Sequence, residues 1–470
     1  MSIVTIEFWL MVLLAALGCR LSKTARTQQI LLLLFSGMIY ITWGIIPFLI
    51  LLSYSIVSYF FIKAISSTMH RNKKKRLLML HIIISLLLLF AFKYFNFFSA
   101  NLEKILNITS NFRLLILPTG ISFYILSSIG FAIDVYKKNN IIEFDFVKTA
   151  LFLSYFPKVI CGPIERADSF LDKIESPHKI CKKDVFEAFQ IIMWGMWKKY
   201  VIADRLGAGV DVVFAHVERF DHVSLMLAAL GYSVQILCDF SGYTDIAVGI
   251  SKLMGIELVR NFDLPYCAKS PSEFWRRWHI SLSSWFRDYV YIPLGGSRCS
   301  KARQYFNIFV TMLISGLWHG ANWTFVIWGA FHGLAQCIQR LSGWKTEGNR
   351  GKERRFQDKV SDLIKVIVTF LLISILWIFF RADSLQDAVR FVYGMISLQG
   401  GIRYMYVYTP VYTLMIVIAS IVIYTRNDGH FKYPILDADK TSHIIILTAE
   451  VLLFFALAYF GDTSFIYNRF

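Results

Sequence analysis

The sequence predicts an all-α, polytopic membrane protein, and three observations carry that expectation. Of the 470 residues, 56% are hydrophobic and 17% charged, where soluble globular chains carry nearer a quarter charged. The apolar stretches are continuous, which excludes the short alternating segments of a membrane β-barrel. Basic residues gather between those stretches, as in cytoplasmic loops. An aromatic load of Phe 41, Tyr 23 and Trp 12 fits interface belts. A net charge of +17 would suggest nucleic acid in a soluble protein. Distributed between apolar runs, it points instead to anionic lipid heads and a phosphate-bearing cytosolic substrate. The seven cysteines, Cys19, Cys161, Cys181, Cys238, Cys267, Cys299 and Cys337, are scattered with no CxxC pair. The odd count and that spacing suggest neither a disulfide framework nor a zinc site.

Residues 3–18 form a first apolar span, followed by Arg20, Lys23 and Arg26. The run begins almost at Met1, with no basic leader region and no small-residue cleavage site, so it reads as a retained helix. Residues 29–62 are long enough for two spans, with a turn at Thr42, Trp43, Gly44 and Pro47. Lys63 and the basic run Arg71 to Arg76 then lie on the cytoplasmic side with the first group, which places the N-terminus outside. Residues 77–98 cross back to an Asn-rich external loop at 99–112. Residues 114–136 return to Lys137, Lys138 and Lys148. At 147–166, Pro157, Gly162 and Pro163 interrupt the helix. This is either a broken helix lining protein or water or a helix end at the interface. A charged cytoplasmic loop follows at 167–184. Residues 185–215 read as one tilted span with interfacial ends, flawed by Lys198, Lys199, Asp204 and Arg205.

In residues 223–254, Gln235, Asp239 and Gly242 share a helical face, and Asp245 extends it. Two carboxylates in an apolar span suggest a buried hydrogen-bonded network or a helix break near the surface. Beyond a strongly basic loop (Lys345, Arg350, Lys352, Arg354, Arg355, Lys359), spans are expected at 363–380, 409–425 and 443–461. A short amphipathic helix is expected at 384–398. The total is roughly eleven crossings in one integral-membrane domain: N-terminal helices at 1–110, a core at 111–340 and C-terminal helices at 341–470.

The chemistry gathers at 271–333, which holds His279, His319 and His332. Ionisable side chains in membrane-buried sequence mark a functional site. Taken as one helix, 274–289 puts Phe274, Trp275, Trp278, Leu282, Trp285, Phe286 and Tyr289 on one face. Arg276, Ser283 and Arg287 lie on the next, with His279 at the seam. Such a helix serves as an interfacial anchor, or as a port where Arg276 and Arg287 grip phosphates of an acyl carrier. Residues 304–340 then form a hairpin or re-entrant pair. Thr311, Ser315, His319 and Asn322 make a polar stripe that faces a cavity, with His319 roughly 20 Å from the basic loop. On the returning arm His332, Gln336 and Gln339 make a second such stripe, and Gly316, Gly320, Gly329 and Gly333 permit close helix contact. A histidine there is either a satisfied packing residue or, as a neutral imidazole, a base for a hydroxyl nucleophile, with His319 in its polar stripe read as the latter and His332 left open between the two. Serine-hydrolase elbow, Walker, zincin and calcium-loop motifs do not occur.

The segment FWRRWHISLSSWFRDYVYIPLGG, followed by GLWHGANWTFVIWGAFHG with their histidines forty positions apart, resembles the membrane-bound O-acyltransferases. Within them it resembles the bacterial alginate O-acetyltransferase branch, and less closely the teichoic acid D-alanyl transferase branch. CGPIER, QILCDFSGYTDIAVG, NFDLPY and, approximately, the terminal FIYNRF belong to the same likeness, which spans most of 110–340. The resemblance implies a ring of helices around a thinned core, where a cytoplasmic tunnel and an outer funnel meet. It implies that His319 is the essential histidine and His279 the second histidine of the D-alanyl branch. It also implies acetyl-CoA as co-substrate with no bound cofactor or metal. The acceptor side would be an exported cell-envelope polysaccharide or a secreted SGNH-type acetyltransferase partner, at the bacterial inner membrane. The expected site is catalytic His319 and His279, with Arg276, Arg287, Trp275, Ser315, Asn322 and Asp239 binding substrate. D-alanyl or other acyl transfer is the alternative. On the polar stripes and broken helices alone, a transporter or a secretion-complex scaffold also fits.

Overall fold

The computed structural model describes residues 5–107, 117–137, 143–177, 180–344, 356–404, 433, 435–437 and 439–460. Among them the regular structure is helical, and one isolated parallel bridge joins Phe220 to Ile402. The expected span at 409–425, the terminal FIYNRF and most of the basic loop after Leu341 lie outside the described residues. Four of the described helices are long and apolar enough to cross a bilayer: Ile45–Ser67, Arg71–Leu106, His222–Leu253 and Gln357–Arg381. Ala25–Ile41 and Thr441–Leu457 are apolar but shorter. The protein is a multi-pass membrane protein, and its chain forms two compact units.

The first unit comprises residues 1–192 and 245–259. It contains α1 (Ile6–Leu21), α2 (Ala25–Ile41), α3 (Ile45–Ser67), α4 (Arg71–Leu89), α5 (Phe95–Leu106), α6 (Ile121–Lys137), α7 (Phe146–Ser154), α8 (Phe156–Cys161), α9 (Ala167–Lys173) and most of α10 (Lys182–Met196). Thr5 and Thr24 cap α1 and α2 through their hydroxyls, satisfying free N–H groups of the first turn. The turn expected near Thr42 is present, with Gly44 at φ +131° before α3. The expected external loop at 99–112 is instead helical as far as Leu106, joined to α4 through a π-segment at Phe90–Tyr94. Its polar residues turn back on the helix itself. Asn101 donates to the Phe97 carbonyl at 2.7 Å and Ser99 to Glu103 at 3.0 Å. The break at Pro157 and Gly162 is real, dividing α7 from α8 and ending α8. The CGPIER turn behind it is tied down by Glu165, which accepts from Val259 N at 2.6 Å and pairs with Lys173 at 3.2 Å. The charged segment 167–184 is not all loop, since it begins with α9.

The second unit comprises 193–244 and 260–470. Helix α10 runs through a π-segment, Trp197–Ala203, into α11 (Asp204–Ala215). Lys199 and Asp204, which interrupt the apolar span expected at 185–215, are buried. They are buried because they are paired. Lys199 Nζ lies 2.6 Å from Asp204 and 2.7 Å from Asp239, and a charge inside a protein must be matched in this way. Asp239 sits in α12 (His222–Leu253), which is unbroken, so the expected buried network exists and the alternative of a helix break does not. Then come α13 (Pro271–Arg277), α14 (Ile280–Phe286), α15 (Lys301–His319), α16 (Trp323–Leu341), α17 (Phe356–Arg381), α18 (Leu385–Ile396) and α19 (Thr441–Leu457). The hairpin expected at 304–340 is α15 with α16, and the expected amphipathic helix is α18. Glycines set the hairpin's closeness. A Cβ on Gly316 would stand 2.4 Å from the Phe325 carbonyl, and one on Gly329 2.5 Å from that of Met312.

Candidate active site

Three short segments of the second unit build the site. In the first, Ser270 caps α13, accepting from Glu273 N, and Glu273 in turn accepts from Lys269 N at 3.0 Å. The SPSE tetrapeptide thus works much as a capping box. The single helix expected over 274–289 does not form. Trp278 leaves α13 in extended geometry and His279 takes the left-handed conformation, φ +43° and ψ +53°, before α14 starts. A bulky residue there is strained, and such strain persists where the surroundings enforce it, commonly at functional sites.

The enforcement comes from the NFDLPY segment. The Asn261 carbonyl accepts from Ile280 N at 2.9 Å, and its side-chain oxygen accepts from Ser281 Oγ at 2.6 Å. Asp263 N donates to the Arg277 carbonyl at 2.9 Å, while Arg277 reaches Glu273 and the Asp263 carbonyl. Arg277, not Arg276, is therefore the structural arginine. Arg276 and Arg287 are exposed, and Arg287 pairs with Asp288 at 2.8 Å. With the helix broken between them, they do not share the helical face expected of them.

The second segment is the end of α15. His319 is its last residue, and Gly320 follows in extended geometry, where a Cβ would meet the Phe325 ring at 2.2 Å. The polar stripe Thr311, Ser315, His319 is interior, with His319 2% exposed. It begins one turn earlier than expected, at the wholly buried Asn307, which donates to the Gly296 carbonyl at 3.2 Å. Asn322 is not its continuation. Beyond the turn, Asn322 caps α16 by accepting from Thr324 N at 3.1 Å, and it donates to the Asp383 carbonyl at 3.1 Å.

The third is α16. Its stripe of His332, Gln336 and Gln339 faces α13 rather than a cavity. Trp275 Nε1 donates to His332 Nδ1 at 3.2 Å, Ser272 N to Gln339 at 3.0 Å and Ser272 Oγ to Gln336 at 3.5 Å.

These segments bring the two expected catalytic histidines to one indole. The Trp318 ring lies 6.2 Å from the His279 ring and 5.0 Å from the His319 ring, centroid to centroid, so the imidazoles lie within about 11 Å of each other. Phe240 stands edge-on to His279 at 4.7 Å. His319 also packs against Trp328 at 5.1 Å and Phe380 at 5.4 Å. Of the residues expected to bind substrate, Ser315 lies one turn before His319, while Asp239, Trp275 and Asn322 have polar atoms engaged with Lys199, His332 and the α16 backbone. The residues that sequence reasoning missed are Trp318, Trp328, Phe380, Asn261 and Lys199. Only the sheer density of tryptophan around WHGANW hints at the first three. Among the described residues no three His, Cys, Asp or Glu side chains converge as a metal site.

Residues 35–381 match the MBOAT, membrane-bound O-acyltransferase family. The chain is 38% identical over 390 residues to the probable alginate O-acetylase AlgI of Pseudomonas aeruginosa, covering 81% of this chain and 72% of that one. It is 33% identical over 405 residues to the peptidoglycan O-acetyltransferase of Helicobacter pylori, covering 81% and 76%. It is 28% identical over 232 residues to the teichoic acid D-alanyltransferase of Bacillus subtilis, covering 47% and 57%. With the match spanning α2 to α17 and taking in both histidine segments, the chain belongs to the membrane-bound O-acyltransferase family.

Proposed function

We propose that this O-acyltransferase moves an acetyl group from a cytosolic thioester, acetyl-CoA, to a hydroxyl, for O-acetylation of an exported cell-envelope polysaccharide. The names of its alginate and peptidoglycan relatives support that acceptor class. The protein works in the bacterial inner membrane, crossing it roughly eleven times. The acceptor hydroxyl belongs to the glycan itself or to a secreted SGNH-type partner that completes the transfer. Arg276 and Arg287, both exposed cations, meet the donor's phosphates.

His319 takes the hydroxyl proton as the oxygen attacks the thioester carbonyl. The tetrahedral adduct expels the thiolate, and the imidazolium returns the proton to it, leaving an ester and free thiol. His279 orients or polarises the acyl group, and Ser315 lines the approach. Asp239, Trp275 and Asn322 act one layer behind the substrates, holding the elements that carry the histidines. Both imidazoles are buried, so access requires the aromatic side chains around them to move.

The observation that carries this reading is the pair of imidazoles flanking Trp318. The test is His319→Ala, with acetyl ester measured on envelope polysaccharide. Wild-type ester content in a stably accumulated variant refutes the assignment.

A further inference from the structure

His332 has no part in the reaction above, yet it lies where the two histidine-bearing segments are joined. We propose that His332 is a positioning residue. It clamps Trp275 of α13 with its Nδ1 and Trp328 of α16 with its ring, and so keeps His279 and His319 in one register.

Four observations support it. An indole N–H only donates, so the 3.2 Å contact from Trp275 Nε1 fixes His332 Nδ1 as an acceptor. The ring is thereby neutral, with its hydrogen on Nε2. Trp275 stands four residues before His279, on the helix whose end sets the His279 turn. On the other side, the His332 ring lies 4.7 Å from the Trp328 indole, edge to face, and that indole meets His319 at 5.1 Å and 90°. Trp328 is wholly buried and stacked on Trp377 at 5.6 Å, so its orientation is transmitted rather than lost. Finally, His332 Nε2 is buried with no hydrogen-bond partner among the described residues. A leucine would remove that unpaired donor but strand the Trp275 N–H, one buried orphan exchanged for another, so the unpaired Nε2 gives the imidazole no net advantage in stability. Gln336 and Gln339 also anchor α13, but through Ser272, one turn away from the indoles.

The inference rests on His319 as the base, so His319→Ala is assayed beside it. Membranes carrying each variant at matched expression are supplied with acetyl-CoA and de-acetylated envelope polysaccharide from the same cells, and kcat and KM for acetyl-CoA are measured. His332→Leu should lower kcat about tenfold or more, as expected when reacting groups lose alignment, with KM within about twofold. His332→Asn places an oxygen near the Nδ1 position to accept the indole N–H, and should retain about a third of kcat or more. Trp275→Phe should fall with His332→Leu, and the double variant should be no worse than the poorer single.

The proposal is overturned if His332→Leu keeps wild-type kcat, if its defect lies in KM, or if His332→Asn is no better than Leu. Should His332→Leu fail to accumulate, His332→Asn and Trp275→Phe decide: the first must be active and the second impaired. An inactive His319→Ala beside a fully active His332→Leu sinks only the positioning role. An active His319→Ala sinks the base assignment itself.

Discussion

A single methyl group at Gly316 should disable the site without touching either histidine. A Cβ on Gly316 would lie 2.4 Å from the Phe325 carbonyl oxygen and 2.9 Å from Gly329 Cα. Both neighbours are backbone, so neither can turn aside. Ordinary contact begins near 3.4 Å, so Gly316→Ala must push α15 and α16 apart by about 1 Å at this level. His319 is three residues further along α15, and its partner Trp328 adjoins Gly329 on α16. The displacement therefore enters the imidazole–indole contact directly. A misplacement of about 1 Å can cost on the order of 100-fold in rate, and overpacking costs about 1–3 kcal/mol of stability. The assay is acetyl ester on envelope polysaccharide, with thermal unfolding of the purified protein in detergent. Gly37→Ala is the control. Its Cβ would lie 3.4 Å from the nearest atom, a Phe48 ring carbon, and alanine favours the helix by about 1 kcal/mol, so activity should hold. A Gly316→Ala variant with wild-type activity and melting temperature would refute the link between hairpin closeness and catalysis.

Removing the cation from the buried triad should be severe. Lys199→Met leaves Asp204 and Asp239 inside without that ammonium, at about 3–5 kcal/mol. The Lys199→Met/Asp204→Asn/Asp239→Asn variant should recover part of the lost melting temperature, and equal melting of all three proteins counts against the triad. His279→Gly and His279→Ala should both lack transfer activity. The glycine variant should be more stable by about 1–2 kcal/mol, since it relieves the left-handed backbone; an active glycine variant would show that the imidazole is dispensable. Arg276→Ala combined with Arg287→Ala should raise KM for acetyl-CoA at constant kcat, with a larger effect at low salt. A salt-independent loss of kcat would place these arginines elsewhere in the mechanism.

Much of this architecture is legible in the sequence because a helix obeys one period. Thr311, Ser315 and His319 recur every fourth residue, and the structure keeps all three inside. The hairpin was readable from its glycines and flanking bases. Periodicity fails where the backbone leaves the helix. Nothing local to 274–289 announces a break at His279, because the bonds that force it come from Asn261 and Asp263, more than a dozen residues upstream. The same long reach hid the charges near residue 200. Lys199 looks like a flaw until α12 supplies Asp239, forty residues away. Polar stripes are ambiguous for a related reason. His332, Gln336 and Gln339 have the spacing of a cavity wall, yet they receive hydrogen bonds from α13.

Both candidate catalytic imidazoles sit at helix ends, and that placement explains the motifs around them. A helix end frees backbone groups, and in a chain that spans a bilayer each free group left without a partner costs several kcal/mol. The protein meets that cost residue by residue. Asn261 takes Ile280 N and the Ser281 hydroxyl behind His279, and Asn322 takes Thr324 N just beyond His319. Gly320 lets the chain turn against Phe325 where any side chain would collide. Residues of NFDLPY and WHGAN are therefore required by the backbone geometry at the two histidines. A histidine in mid-helix, as His332 is in α16, needs none of them. At the termini, the ring of His279 meets Phe240 and Trp318, and that of His319 meets Trp318, Trp328 and Phe380. Rings from α12, α15, α16 and α17 fix where the two imidazoles stand, which is the condition a proton transfer between aligned partners demands.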